Sequence, residues 1–186
     1  LKAEGFRDLY LFDAVGHLVY STAKLPDFAT DFTEGAGPYA DSGLGEAYRA
    51  AMNSESSSDF VFNDFTAYAA DGGAPRAFLA APVFDAAKVR IGVIAVSLTA
   101  EPLGAVVSYR QGLGTTGDAI IVGLDGLARS DSTFTKDDDV LKPTIFDDTI
   151  SEAVTGLPGE TGSADFRGHA VIAAAAPSDV TGSQSW

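Results

Sequence analysis

Two apolar runs, in "LYLFD" and "HLVYS", are joined by a short Gly-containing turn, which predicts a β-hairpin. A polar stretch rich in Gly, Pro and Asp follows, "KLPDFATDFTEGAGPYADS", without the period of a helix or a strand. In "GLGEAYRAAMNS" the residues Leu44, Ala47, Tyr48 and Ala51 recur at helical spacing, so a long loop leads into a short helix. Three strand-like segments come next, "DFVFNDFTAY", "RAFLAAPVF" and "VRIGVIAVSLT", joined by short turns of Asp, Gly and Ala. They read as an antiparallel meander.

Past "AEPLGAVVSYRQGLGTTG", a short helix and a Gly-rich joint, the segment "AIIVGLDGLARSD" repeats the arrangement of "LYLFDAVGHLVYS": apolar strand, Asp, Gly turn, returning strand. A polar loop, a helix through "TIFDDTISEAVTG" and strands "GSADFRG" and "HAVIAAAAPS" continue this second copy, which stops at "DVTGSQSW" before a closing strand. The expected architecture is α+β in two modules, residues 1–110 and 111–186, each an antiparallel sheet with flanking helices.

Composition narrows the function. The 186 residues are 46% hydrophobic, enough to bury a core, and carry a formal net charge of −14, which repels nucleic acid and anionic membrane surfaces. Cysteine is absent, which removes disulfides, thiolate catalysis and Cys-ligated metal and fits an exported bacterial domain. No Gly-x-Ser-x-Gly elbow, P-loop or His-Glu-x-x-His motif occurs, and His17 and His169 both fall at turns. The "TKDDDV" run lacks the oxygen spacing and Gly of a calcium loop. Neither cofactor nor metal is expected. A sensory binding domain is the leading class; a hydrolase and an adhesive module are the alternatives.

The segments "PYADSGLGEAYRAA", "FNDFTAYAADGGAPRAFLAAPVFD", "IGVIAVSL" and "GLGTTGDAIIVGLDGLARSDS" resemble the double Cache (PAS-like) sensor region of bacterial methyl-accepting chemotaxis proteins and related sensor kinases, over roughly residues 9–186. The resemblance implies two PAS-like modules, each with a long ligand-side loop, in the periplasmic part of a membrane-anchored, dimeric receptor that binds a small molecule. It also implies a long N-terminal helix, a last strand and a second membrane span outside this sequence. Without that helix the isolated fragment is expected to be monomeric or weakly dimeric. The chain departs from the pattern at Ala119 and Ala128, where the family often has Tyr and Met, and the signature of the amino-acid-binding branch is not readable in the first module.

Within the first module, a turn centred on Gly72 and Gly73 would set Tyr68 opposite Arg76 and Asp64 opposite Ala80. Alternation would then place Phe62, Asp64 and Tyr68 on one face with Arg76 and Phe78. One carboxylate among aromatics is what orients a small ligand in a pocket, and Tyr39 lies in the loop that would close over it. The competing reading points Asp64 to solvent or into its own turn and anchors Tyr39 in the core. A slip of one residue would instead turn Asn63 and Phe65 inward. Asp64 suits an amine; Arg76 and Tyr39 suit a carboxylate. A small carboxylate, an amino acid and an amine therefore all remain as ligand classes. On this pairing, Asp64→Ala would lower ligand affinity by on the order of 2 to 3 kcal/mol in a calorimetric titration.

Overall fold

Strand β1 (Phe6–Asp13) and strand β2 (Leu18–Ser21) form the N-terminal hairpin. The computed structural model describes residues 5–109, 111–135, 139–143, 159–165, 167–180 and 183–184. Helix α1 (Gly43–Asn53) follows the long connection, and β3 (Val61–Tyr68), β4 (Ala74–Phe84) and β5 (Arg90–Leu98) form the meander. Because β5 returns to pair with β1, the five strands make one antiparallel sheet in the order β2-β1-β5-β4-β3. By chain contacts the protein divides into two compact units, Leu1–Pro102 and Leu103–Trp186.

The register of the first sheet decides which residues share its buried face. Asp8 pairs with Ser97, Ser97 with Phe78 and Phe78 with Asn63, so these four form one row across the sheet. The next row holds Ser21, Tyr10, Ala95, Ala80 and Val61. Tyr10, Phe12, Phe78, Ala80, Val93 and Ala95 pack with Leu44, Ala47, Tyr48 and Ala51 of α1 in a single core. The helical spacing read from the sequence is therefore the buried stripe of α1. Phe12 lies at the centre, with Phe32 edge-on at 5.1 Å and Tyr48 at 4.9 Å. On the other face Leu11, Val19, Ile91 and Ile94 are exposed.

The predicted pairing of β3 with β4 is corrected. A short 3-10 turn, Ala69–Asp71, followed by Gly72 and Gly73 at positive φ, closes the hairpin two residues tighter than expected. Tyr68 thus faces Ala74, and Arg76 faces Thr66. A shift of two keeps the faces. Between Asn63 and Thr66, however, β3 bulges by one residue against β4, and an odd insertion inverts everything beyond it. Asn63 therefore joins the row of Phe78. Phe62 pairs with Leu79 on the opposite face, and Val61 instead of Asp64 faces Ala80.

In the second unit, the Asp125–Gly126 turn is present, flanked by an isolated bridge between Val122 and Ala128 instead of the two predicted strands. Arg129, 2% exposed, pairs with Asp125 at 2.9 Å, so the strand end is locked by the turn's own carboxylate. Helix α2 (Glu101–Val107) precedes this unit's loops, and β6 (Gly159–Ala164) pairs with β7 (Ala170–Ala175). A two-residue ladder joins β8 (Asp179–Val180) to β9 (Ser183–Gln184). The helix predicted through residues 144–156 lies outside the described residues. Among those described, no helix is long and apolar enough to cross a membrane.

Helix α1 begins at Ser42, whose hydroxyl accepts the Gly45 N–H at 3.4 Å while donating to the Tyr39 carbonyl at 2.6 Å. Inside a helix, Gly→Ala ordinarily gains about 1 kcal/mol. At Gly45 a Cβ would lie 1.9 Å from the Ala40 carbonyl oxygen, which also accepts from Arg49 Nη1 at 2.6 Å. Gly45→Ala is expected to lose about 2 kcal/mol in denaturant unfolding. A gain in stability would show that the Ala40 turn yields freely.

Candidate functional site

The row Asp8–Ser97–Phe78 marks one end of the buried face, and polar groups gather there. Period two along "RDLYLF" turns Asp8 inward with Tyr10 and Phe12, and both Asp8 and Ser97 are fully buried. Oδ1 of Asp8 accepts the N–H groups of Leu9 at 2.8 Å, Thr22 at 2.8 Å and Ala23 at 2.9 Å, together with the Thr22 hydroxyl. The carboxylate thus fixes the chain as it leaves β2. Its Oδ2 is buried and has no hydrogen-bond partner.

A second buried carboxylate, Asp27, comes from the connection between β2 and α1. The Tyr68 hydroxyl donates to its Oδ2, while its Oδ1 is buried and without a partner. Tyr10 donates to Ser97 Oγ at 3.3 Å. Burial, opposed by the Tyr68 hydrogen bond and reinforced by the field of Asp8, pushes the Asp27 carboxyl above the ordinary aspartate range. Burial likewise raises the phenols of Tyr10 and Tyr68, and Asp8 and Asp27 add to both shifts. The two tyrosines accordingly stay neutral and act as hydroxyl donors.

Beside this pair, Asp71 holds two arginines. Arg76 reaches its Oδ2 through Nε at 2.9 Å and Nη2 at 2.6 Å, and Arg7 binds both oxygens at 3.1 and 3.0 Å. Against the opposing effect of burial, hydrogen bonds from Arg76 and Arg7 hold the Asp71 carboxyl below its ordinary range. Glu101 is lowered too, first by its hydrogen bond with Thr99 and to a lesser extent by Arg76.

Of the residues singled out from sequence, the structure brings Tyr39, Tyr68 and Phe78 together: Tyr68 lies 5.1 Å from Phe78 and 6.4 Å from Tyr39 between ring centroids. Tyr10 adds a fourth ring, 6.4 Å from Phe78. Arg76 is occupied by Asp71. Phe62 is on the far face, and Asp64 lies within the bulge, where its Oδ1 accepts the Phe65 N–H at 2.7 Å. Sequence reasoning missed Asp8, Ser97 and Asp27. The alternation of "RDLYLF" and "IAVSL" carries the signal for the first two; Asp27, in an aperiodic stretch, has none. The histidines sit at turns, with His17 Nδ1 3.0 Å from Asp13, and no cluster of metal-binding side chains occurs among the described residues.

Folding raises the affinity of Asp27 for a proton, so in the unliganded protein this residue lowers stability as pH rises through its folded-state pKa. Asp27→Asn keeps an acceptor for Tyr68 and removes the charge. Thermal melts without ligand are expected to show the variant about 1 to 2 kcal/mol more stable at pH 7.5, with the gap narrowing as pH falls toward 4. A variant less stable than wild type at pH 7.5 would mean that Asp27 is already satisfied.

No protein-family model matches the chain. It is 29% identical over 153 residues to the "Probable chemoreceptor y4sI" of Sinorhizobium fredii, a match covering 81% of this chain and 18% of that protein. The ligand-binding domain of the Pseudomonas fluorescens chemoreceptor CtaA, in complex with L-alanine, superposes with a TM-score of 0.54 at 21% identity, over 91% of this chain and 64% of that one. That of the amino acid chemoreceptor PctC of Pseudomonas aeruginosa PAO1, in complex with GABA, gives 0.54 at 20% identity, over 91% and 66%. This chain thus spans under a fifth of the curated relative and about two thirds of these domains. With an antiparallel sheet backed by a helix, the chain has the fold of chemoreceptor ligand-binding domains.

Proposed function

We propose that this chain is the periplasmic sensor region of a membrane-anchored, dimeric chemotaxis receptor, and that its first module captures a small metabolite. One observation carries the reading: in a fold shared with chemoreceptor ligand-binding domains, two fully buried carboxylates each keep an unpartnered oxygen at the aromatic end of the sheet. Buried polar atoms of this kind are costly in a finished core and are expected where a ligand completes the hydrogen bonding. CtaA was solved with L-alanine and PctC with GABA, both small and both bearing an amine and a carboxylate.

In this reading Tyr39, Tyr68, Phe78 and Arg76 stand around the ligand, and the acidic contact passes from Asp64 to Asp8 and Asp27. The segment from residue 111 onward forms a second PAS-like module that relays movement toward the membrane. A ligand does this by favouring one of two arrangements of the receptor over the other. The chain acts by binding, without turnover.

A thermal-shift screen of the purified chain against amino acids, amines and small organic acids tests the proposal. A true ligand present at 100 times its dissociation constant is expected to add about 2.7 kcal/mol of stability and to be recovered unchanged. No stabilisation by any compound, or conversion of one, would refute a sensor.

A further inference from the structure

We propose that Asp8 and Asp27 together receive the ammonium group of a small organic amine, so that the ligand's cationic end sits between Asp8 Oδ2 and Asp27 Oδ1. The inference deepens the sensor reading and rests on it.

Three observations select a cation with N–H donors. First, both oxygens are fully buried and unpartnered, and each belongs to a carboxylate whose other oxygen is already engaged, by Leu9, Thr22 and Ala23 at Asp8 and by Tyr68 at Asp27. One acceptor from each side remains. An ammonium fills both with charge-assisted bonds and has a third N–H for the hydroxyl oxygen of Ser97, the cross-strand partner of Asp8.

Second, the local charges are unbalanced in one direction. Arg7 and Arg76 are both held by Asp71, and Arg76 also faces the field of Glu101. Among the described residues no basic side chain forms an ion pair with Asp8 or Asp27. An anion entering here would meet two carboxylates, while Arg7 and Arg76 are held by Asp71 and the Lys24 ammonium lies over the rings of Tyr20 and Phe28. Third, Tyr10, Tyr39, Tyr68 and Phe78 surround this end of the sheet with rings, which suit the alkyl part of an amine and the face of a cation. A bare metal ion fits less well, because divalent calcium requires six to eight oxygens where two carboxylate oxygens are unused.

Entry involves the connection carrying Asp27. Lys24 and Ala29 on either side of it adopt φ of 52° and 64°, a left-handed conformation costly for residues with a Cβ. Since both carboxylates are wholly buried, an amine reaches them when this segment lifts and recloses. The same segment leads into α1 through Ser42, so occupancy is coupled to the helix that covers the sheet.

The test is calorimetric titration at pH 7.5 with putrescine, ethanolamine, L-alanine and GABA in one set, and acetate, succinate and malate in the other, with sodium, potassium and calcium chlorides as ionic controls. At least one ammonium compound is expected to bind, the acids and salts are expected not to, and Asp27→Asn is expected to weaken the amine by about 10- to 100-fold. Asp8→Asn, which keeps an acceptor for the turn, should do the same, and Asp64→Ala should leave affinity unchanged. Binding of an acid without an amine would overturn this inference and leave the sensor reading standing, as would unaltered amine affinity in Asp27→Asn or an equal response to the salts. Absence of any binding would overturn both.

Discussion

Two carboxylates withdrawn from water at one end of a β-sheet set the terms for the first unit. Neither Asp8 nor Asp27 has a basic partner among the described residues, and each spends only half of its acceptor capacity on the protein. Leaving a buried polar atom unpaired costs roughly 1 to 3 kcal/mol, more when it is charged. The fold tolerates this because the same groups also organise the chain. Asp8 ties the exit of β2 to β1, and Asp27 ties the long connection to the end of β3 through Tyr68. The charge is thus built into the scaffold, and one oxygen of each carboxylate stays without a hydrogen-bond partner.

The sheet register supplies the precision. Asp8, Ser97 and Phe78 sit in one cross-strand row, at the point where regular β1–β5 pairing resumes after the irregularity between Phe6 and Asp8. Rigid strands therefore carry one carboxylate, while a loop with strained backbone carries the other. In the proposed reading, a ligand held by both would tie the long connection to the sheet, and binding would favour one arrangement of that connection. Asp71 keeps two arginines occupied alongside, so the field at the site is acidic even though cationic side chains lie near it.

Much of this was legible in the sequence. The hairpin, the helix stripe of Leu44, Ala47, Tyr48 and Ala51, and the three-strand meander all follow from hydrophobic period, and each appears where the pattern put it. The resemblance to Cache sensors is matched by a shared fold. The candidate site was only partly legible. Tyr39, Tyr68 and Phe78 do lie near one another, but a single bulged residue in β3 inverted the face on which Phe62 and Asp64 had been placed, and no composition rule locates a bulge. Asp8 was visible in principle as a polar residue in phase with Tyr10 and Phe12. Asp27 was not, because its burial depends on the path of an aperiodic connection.

The most direct measurement is a crystal structure of the chain with the tightest-binding amine of the panel. The account predicts the ligand nitrogen about 2.7 to 2.9 Å from both Asp8 Oδ2 and Asp27 Oδ1, with its alkyl portion against Tyr68 and Phe78. An amine lodged elsewhere, or one that touches neither oxygen, would contradict it.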